Sequence, residues 1–247
     1  MAIVKKYDLD QPFWDVDLGG GVKAHTYCPS KTSFARAHKL LLKEPETIGW
    51  LDDIEPGSVM WDIGANVGTY TLYAAMRRKC RVVAFEPASA NYLTLNRNIE
   101  LNALHDRVTA YCVAVAPVTG LDVLYMPRTD FGASMSNYGS AIDFQGEAFD
   151  ASFKQGSVGY RLDDLTRTLP FPSYIKIDVD GLERDIIRSG PSTLSDERLR
   201  SVIVELDRGR PDLIDEVVTT MGGHGYRHVN ADGPVRSTVV MNAIFAR

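Results

Sequence analysis

Residues 58–87 read SVMWDIGANVGTYTLYAAMRRKCRVVAFEP, and this stretch decides the fold. A first apolar run ends in Asp62 and leads into a turn of small residues, Gly64–Gly68. A helix-like segment follows, and then a second apolar run, Val82–Phe85, which Glu86 closes. A strand, a glycine turn, a helix and a strand with a terminal acid form the unit that binds a nucleoside-bearing cofactor at the carboxyl ends of parallel strands.

Length and composition are those of one α/β domain. The chain has 247 residues, 45% of them hydrophobic, which is enough to bury a full core. The net charge of −5 argues against a broad phosphate-binding surface, so we expect no nucleic-acid partner. The first ten residues lack the apolar core of a signal peptide, and the longest apolar runs fall far short of the roughly 20 residues of a membrane span. We therefore expect a cytoplasmic protein without a membrane span.

The cysteines show no disulfide or metal pattern. Cys28, Cys80 and Cys112 form an odd set without a CxxC pair. Cys80 and Cys112 lie in or beside strand-like runs, where a buried thiol is the ordinary outcome. We therefore expect both of these thiols to be buried.

Strand-like and helix-like segments alternate regularly from residue 58 onward. This alternation predicts parallel strands with right-handed crossovers. The last two strand-like runs, 224–230 and 237–247, are joined by the turn-forming residues Ala231–Pro234 and predict a closing antiparallel hairpin. A helix is expected from Lys43 to Ile54. Strands are expected near 58–63, 81–86, 107–115, 173–178 and 200–206, with helices near 68–79, 88–102, 181–188 and 211–221.

Two parts of the chain do not follow this alternation. Residues 1–43 contain two short strand-like pieces around three consecutive glycines, and we expect them to contribute elements on the acceptor side. Residues 44–247 then form the cofactor-binding domain. Within it, residues 127–156 are rich in glycine, serine and aromatic side chains, which is typical of a lid or a substrate wall. The alternative is an extra hairpin packed on the edge of the sheet.

The spacing of the glycine turn favours S-adenosylmethionine over a dinucleotide. Gly64 and Gly68 are four residues apart, and Asn66 lies between them, whereas a pyrophosphate turn has the pattern GxGxxG. The carboxylate of an amino acid is smaller than pyrophosphate and fits the same backbone amides. Since neither GxGxxG nor a Tyr-xxx-Lys pair is present, the sequence argues against an NAD-dependent oxidoreductase.

Two acids flank this turn. Asp62 can accept a hydrogen bond from a ligand ammonium group or brace the loop. Glu86 follows Gly64 by 22 residues, the position from which a carboxylate accepts the two ribose hydroxyls. Asn91 fits either the adenine side of the site or a solvated helix position. The residues expected to bind the cofactor are Asp62, Gly64, Asn66, Gly68, Glu86, Pro87, Asn91, Val113, Ala114 and Asp178.

Five stretches resemble the FkbM-type methyltransferases: WDIGANVGTYTLYAA, VVAFEPASANYLTLNRNIELN, AVAPVTG, YIKIDVDGLERDIIRSG and VIVEL. The similarity covers roughly residues 44–206, and GANVG, FEP and IDVDG follow one another in the family's order. The segment FGASMSNYG is similar to a small-residue motif that the family carries before its fourth strand. The resemblance implies the Rossmann-like fold of class I methyltransferases, with a mostly parallel sheet. The C-terminal antiparallel hairpin and the N-terminal additions are predicted from residues outside the matched range, and residues 1–43 and 127–156 match the family poorly. It also implies S-adenosylmethionine-dependent O-methylation, commonly of sugars, glycolipids or natural products.

Methyl transfer to a hydroxyl needs a base, and acids cluster at the predicted strand ends. We expect Asp178 and Asp180 near the methyl group and the acceptor, with Asp180 as the base, because closely paired acids raise one pKa. Asp180 could instead cap the following helix, and Asp178 could position the methionine ammonium group. Together with Glu205 and Asp207 the two acids could also hold Mg²⁺, but we expect no metal.

The sequence therefore predicts an S-adenosylmethionine-dependent O-methyltransferase. Its partner would be a small molecule or a glycan whose hydroxyl group is methylated, with a sugar-like, polyhydroxylated or secondary-metabolite character. Two alternatives stay open, an N-methyltransferase and a non-catalytic module that keeps the fold and binds the cofactor.

Overall fold

A computed structural model describes residues 12–230 and 239–247 of the chain. It begins with an antiparallel pair of strands, β1 (Phe13–Asp17) and β2 (Lys23–Tyr27). The three glycines between them, residues 19–21, all have positive φ angles, which glycine adopts without a steric penalty. The two strand-like pieces predicted here are therefore confirmed. Three helices follow, α1 (Lys31–His38), α2 (Leu40–Lys43) and α3 (Pro45–Asp53).

The glycine turn joins a strand to a helix, as predicted. The three strands of this part pair in parallel, and a helix forms each crossover between them. The elements are β3 (Val59–Ile63), α4 (Thr69–Arg77), β4 (Arg81–Phe85), α5 (Ser89–Leu101) and β5 (Val108–Tyr111).

The prediction of one strand over 107–115 is wrong in its second half. β5 ends at Tyr111, and the chain then leaves the central sheet, because β6 (Ala114–Val115) pairs with a strand of a second sheet. That sheet has the order β6-β9-β7-β8, with β7 (Gly120–Met126), β8 (Asn137–Tyr138) and β9 (Phe153–Tyr160). Most of residues 127–156 thus form the connection within the β7–β9 hairpin, in agreement with the hairpin alternative. A role as a lid stays a prediction.

The second half of the chain returns to the central sheet. β13 pairs antiparallel with both of its neighbours, β11 and β12, which confirms the closing hairpin. The predicted turn at 231–234 lies outside the described residues. The elements are α6 (Leu162–Leu165), β10 (Tyr174–Ile177), α7 (Glu183–Arg188), α8 (Pro191–Ser195), β11 (Ser201–Asp207), α9 (Pro211–Gly223), β12 (Arg227–His228) and β13 (Val240–Ala246).

The central sheet has the strand order β12-β13-β11-β10-β3-β4-β5, and it is mostly parallel, as predicted. From β3 the chain first adds β4 and β5 on one side. It then places β10 on the other side of β3 and adds β11 beyond it. The order therefore reverses between β3 and β10, and ligands of open α/β sheets bind at such a switch point, beyond the carboxyl ends of the strands.

Helices cover both faces of this sheet. On one face Trp61 and Ile63 pack in a core with residues of α7, α8 and α9. On the other face Met60 packs in a core with residues of α3, α4 and α5. Side chains of a strand alternate between its faces, so Asp62 and Lys176 project toward the α3–α5 side. Among the described residues, no helix has both the length and the hydropathy for a membrane crossing.

The cysteine prediction is half right. Cys80 is buried, but Cys112 is exposed. The reason is that β5 ends one residue before Cys112, so this side chain lies on the connection between the two sheets rather than in a strand.

Candidate functional site

A cleft lies at the carboxyl ends of β3, β4, β10 and β11. Its volume, including the part open to solvent, is about 690 Å³. It contains both of the predicted catalytic acids and five of the predicted cofactor residues besides Asp178. The lining residues are Arg36, Lys43, Gly64, Asn66, Glu86, Pro87, Asn91, Ala133, Ser134, Ser136, Asp178, Val179, Asp180 and Glu205.

Gly64 closes the turn of the site against the neighbouring strand. Its φ angle is +80°, and a Cβ atom there would lie 1.7 Å from the carbonyl oxygen of Asp178. The amides of Gly64 and Ala65 both donate to the carbonyl oxygen of Phe85 at 3.0 Å. The turn therefore packs directly on the ends of β4 and β10, and only glycine fits at this position.

Glu86 lies at the base of the cleft, where it is 5% exposed. Its carboxylate accepts hydrogen bonds from the amides of Asn66 and Ala88, both at 2.8 Å. Burial raises the pKa of Glu86 to about 7, although these amides act in the opposite direction. A carboxylate has about four acceptor positions, so Glu86 keeps acceptor capacity beyond these two amides, although the side-chain amide of Asn91 also lies close enough to lower its pKa.

A strap, residues 131–136, crosses the cleft. The side-chain amides of Asn66 and Asn91 both donate to the carbonyl oxygen of Ala133, at 2.8 and 3.0 Å. The amide of Gly132 donates to Oδ1 of Asn91 at 2.7 Å. Asn91 is 4% exposed, so the alternative of a solvated helix position is wrong. Asn66 and Asn91 line the cleft while they hold the strap.

The N-terminal segment also reaches the strap. Arg36 of α1 donates through Nε to the carbonyl oxygen of Gly132 at 2.7 Å. Ser30, which caps α1, donates through its hydroxyl to the carbonyl oxygen of Phe131 at 2.5 Å. Sequence reasoning missed Arg36 and Lys43 as residues of this cleft, because no local pattern connects α1 and α2 to a turn that follows much later.

A buried lysine organises the acids at the end of β10. Lys176 is 3% exposed, and its Nζ donates to Oδ2 of Asp178 at 2.8 Å. Lys176 and Asp62 are directly paired across β10 and β3, with Nζ 4.0 Å from Oδ1 of Asp62. The ring of Tyr70 lies 5.1 Å from the same Nζ. An ion pair and a cation–π contact therefore compensate the burial of this ammonium group.

Three acids of the cleft, Asp178, Asp180 and Glu205, differ in pKa. Burial would raise the pKa of Asp178, but the adjacent Lys176 ammonium group holds it below its usual range. Burial, together with the Asp178 charge, raises the pKa of Asp180 to about 6. The Asp178 charge and burial raise the pKa of Glu205 to about 9. At neutral pH the cluster thus contains an ionised Asp178, a mostly ionised Asp180 and a protonated Glu205.

Asp180 has an unusual backbone conformation. Its φ angle is +61°, in the left-handed region that costs a non-glycine residue free energy. Its Oδ2 accepts from the amide of Met135, in the strap, at 2.5 Å. The alternative that Asp180 caps the next helix is wrong, because the N-cap position of α7 is Leu182 and no described side chain caps this helix. Strained residues of this kind cluster at functional sites.

Two further cavities adjoin the cleft. An apolar slot of about 310 Å³, including the part open to solvent, lies beside Pro87, and the predicted residues Val113 and Ala114 line it. A second cleft of about 620 Å³, again including the part open to solvent, shares Asp180 and Glu205 with the first. The apolar part of its wall comes from Phe144, Leu206, Leu213, Ile214 and Val240.

Two predicted cofactor residues lie outside these cavities. Asp62 is fully buried beneath the turn, and its Oδ2 accepts from the hydroxyl of Thr71 at 2.6 Å. This position agrees with the bracing alternative and not with contact to a ligand. Gly68 precedes α4, and a Cβ atom there would lie 2.4 Å from Cδ1 of Leu95. Gly68 therefore lets α4 and α5 approach closely.

Some of the acids are close enough together to share a cation. Carboxyl oxygens of Glu44, Asp178 and Glu205 lie within 4.8 Å of one another. Two of these acids already have protein cations, since Lys43 donates to Glu44 at 2.5 Å and Lys176 donates to Asp178 at 2.8 Å. The set also differs from the one considered from sequence, because Glu44 replaces Asp180 and Asp207. Metal-free chemistry stays a prediction.

Comparison with known proteins gives a family match and several relatives. Residues 62–228 match the family described as the methyltransferase FkbM domain. The chain is 26% identical to methyltransferase 1 of Beauveria bassiana (strain ARSEF 2860), over 86% of this chain and 85% of that protein. It is 25% identical to 31-O-demethyl-FK506 methyltransferase FkbM of Streptomyces tacrolimicus, over 79% of this chain and 82% of that protein. Hexuronic acid methyltransferase AglP of Haloferax volcanii is 27% identical, over 64% of this chain and 60% of that protein.

Proposed function

Since the chain belongs to the methyltransferase FkbM family, we propose that it methylates a hydroxyl group of a small sugar-like, polyhydroxylated or secondary-metabolite acceptor. Membership in this family implies methyl transfer with S-adenosylmethionine as the methyl donor. The hydroxyl acceptor is our proposal. The observation that supports this proposal is that the carboxyl group of Asp180 lies where the two clefts meet.

The residues of the first cleft fit S-adenosylmethionine. We assign the ribose hydroxyls to the free acceptor positions of Glu86 and the adenine to the apolar slot beside Pro87. The ionised carboxylate of Asp178 suits the methionine ammonium group. The bound cofactor supplies an electrophilic methyl group on a positively charged sulfur.

We assign the role of base to Asp180. Its Oδ2 accepts from the Met135 amide, which leaves Oδ1 to accept the proton of an acceptor hydroxyl. A pKa of about 6 keeps the group mostly ionised at neutral pH while leaving it more basic than an ordinary aspartate. The new carbon–oxygen bond would form as the methyl–sulfur bond breaks, which would leave S-adenosylhomocysteine as the neutral product, and the hydroxyl proton would pass to this carboxylate.

The second cleft suits the acceptor. It combines apolar side chains with carboxyl groups that can accept hydrogen bonds from hydroxyls, and it meets the first cleft at the proposed base. The names of two relatives, an O-demethyl-FK506 methyltransferase and a hexuronic acid methyltransferase, support an oxygen-bearing small molecule or sugar. The net charge of −5 supports such an acceptor over a nucleic acid.

Two measurements test this proposal. Isothermal titration should detect binding of both S-adenosylmethionine and S-adenosylhomocysteine, and failure of both to bind at about 100 μM would count heavily against the cofactor site. Transfer of a radiolabelled methyl group should then be measured on matched pairs of acceptors that carry either a hydroxyl or an amine. Asp180→Asn should lower kcat by roughly 10²–10⁴ with little change in S-adenosylhomocysteine affinity.

The two alternatives predict other outcomes. Methylation of the amine members alone would favour an N-methyltransferase, although the fourth-strand motif here is IDVDG and not an NPPY-type amide clamp. Cofactor binding without turnover on any acceptor would favour a non-catalytic module.

A further inference from the structure

Arg36 is a cation of the first cleft whose side chain is only partly engaged by the protein. Its Nε donates to the carbonyl oxygen of Gly132 at 2.7 Å. Neither of its Nη groups has a hydrogen-bond partner among residues 12–230 and 239–247. A guanidinium group has five N–H donors in a planar fork, so most of its donors are left for another group.

The other charged side chains of the cleft leave Arg36 as the cation available to an anionic ligand group. Four of its lining side chains are acids, Glu86, Asp178, Asp180 and Glu205, and its other lining cation is Lys43. The ammonium group of Lys43 already donates to the carboxylate of Glu44 at 2.5 Å. Within the described cleft, Arg36 is therefore the cation best placed to receive an anionic group of a ligand.

The charge pattern of the amino-acid end of S-adenosylmethionine matches this arrangement. That end has one ammonium group and one carboxylate on the same carbon atom. The Arg36 charge lowers the pKa of both Asp178 and Asp180, so the guanidinium group lies within Coulombic reach of both. Arg36 does not line the apolar slot assigned to adenine.

We propose that the Nη groups of Arg36 bind the α-carboxylate of S-adenosylmethionine, while Asp178 accepts the α-ammonium group. This inference rests on the cofactor site proposed above. It makes α1, from the N-terminal segment, a part of the cofactor site. Through Nε the same side chain joins the bound carboxylate to the strap, because Gly132 is a strap residue.

A pair of ligands isolates the contact. S-adenosylhomocysteine carries the amino-acid end, whereas 5′-methylthioadenosine retains the adenosine and the sulfur but lacks that end. Both should be titrated calorimetrically into the wild type and into Arg36→Gln. We expect the Kd of S-adenosylhomocysteine to rise at least tenfold, as for the loss of a charge-assisted hydrogen bond, and that of 5′-methylthioadenosine to change less than twofold.

Two more variants complete the test. Arg36→Lys keeps the charge without the planar fork and should give an intermediate affinity for S-adenosylhomocysteine. Arg167→Gln makes the same charge change at an exposed arginine that pairs with Asp164, and both ligands should bind it as they bind the wild type. Thermal unfolding of each variant would show that the fold is intact.

Every other outcome overturns the inference. Equal weakening of both ligands in Arg36→Gln would mean that Arg36 acts by holding the strap. Unchanged affinity for both would mean that Arg36 does not contact the carboxylate. Failure of the wild type to bind either ligand would instead remove the proposed cofactor site itself, and the inference with it.

Discussion

At the scale of single residues, Glu86 is the acid whose ionisation should control cofactor affinity. Its pKa is raised to about 7 by burial, whereas an unperturbed glutamate titrates near pH 4.3. A carboxylate that accepts two ribose hydroxyls must be ionised, so the protonated form has to release its proton when the ligand binds. S-adenosylhomocysteine should therefore bind more weakly as the pH falls below 7, by up to about tenfold per pH unit.

Titration calorimetry between pH 5.5 and 8.5 measures this dependence. Glu86→Gln should bind more weakly at pH 8 and should lose the step near pH 7. Asp180→Asn, which removes the neighbouring group with a pKa of about 6, should keep that step but move it to a lower pH, because the Asp180 charge contributes to the raised pKa of Glu86. A wild-type affinity that is constant over this range would remove Glu86 from the ribose contact.

Lys176 is the second residue, and its replacement should lower the stability of the folded protein. Lys176→Met leaves Asp178 and Asp62 without their adjacent cation, and breaking a buried ion pair costs about 3–5 kcal/mol. Without the ammonium group, burial and the neighbouring acids raise the pKa of Asp178 above its unfolded value. The penalty then applies fully above that raised pKa and shrinks as the pH falls and Asp178 takes up a proton.

Denaturant unfolding at pH 8 and pH 5 measures this prediction. The loss in unfolding free energy should be greater at pH 8. Adding Asp178→Asn to Lys176→Met should recover part of it, since the uncompensated charge is then gone. Lys31→Met, at an exposed position, should change stability by about 0.5 kcal/mol or less. A pH-independent loss would show that Lys176 acts only by packing.

At the scale of elements, the strap is held in a conformation that requires glycine. Gly132 has a φ angle of +84°, and a Cβ atom there would lie 2.9 Å from the backbone nitrogen of Ser33 in α1. Gly132→Ala should therefore destabilise the protein by about 2 kcal/mol and also weaken S-adenosylhomocysteine binding, because the strap lines the cleft.

Thermal unfolding and ligand titration of this variant provide the test. Gly49→Ala is a matched control. Gly49 lies in helix α3, and a Cβ atom there would have no neighbouring atom of another element within 4 Å. It should leave stability unchanged or raise it by up to about 1 kcal/mol. Full stability and affinity in Gly132→Ala would contradict the close contact between the strap and α1.

The elements also show what can be predicted from sequence. The glycine turn, the strand acids and the closing hairpin are local patterns, and the structure confirms these features of the fold. The second sheet was missed because β9, with the sequence FKQGSVGY, has two glycines and little apolar alternation. The burial of Lys176 could not be predicted either, since it depends on a pairing with Asp62 that lies more than 100 residues earlier.

At the scale of the whole molecule, the two clefts divide the proposed reaction into a cofactor side and an acceptor side. They meet at Asp180 and Glu205. Ile214→Trp, on the wall of the second cleft, should block methyl transfer to any acceptor that the wild type uses. It should change S-adenosylhomocysteine affinity by less than about twofold, because Ile214 does not line the first cleft.

Methyl-transfer assays and calorimetry on the same preparation separate these two effects. Thr219→Trp adds the same side chain at an exposed position of α9 and should preserve both functions. Parallel loss of cofactor binding in Ile214→Trp would mean that the two clefts are not separate sites.

The most direct test of the account is a crystal structure of the complex with S-adenosylhomocysteine. It should show the ribose hydroxyls on the carboxylate of Glu86, the adenine between Pro87 and Ala114, and the amino-acid end beside Asp178. A ligand bound elsewhere, or a complex in which Glu86 makes no contact with the ribose, would contradict the account.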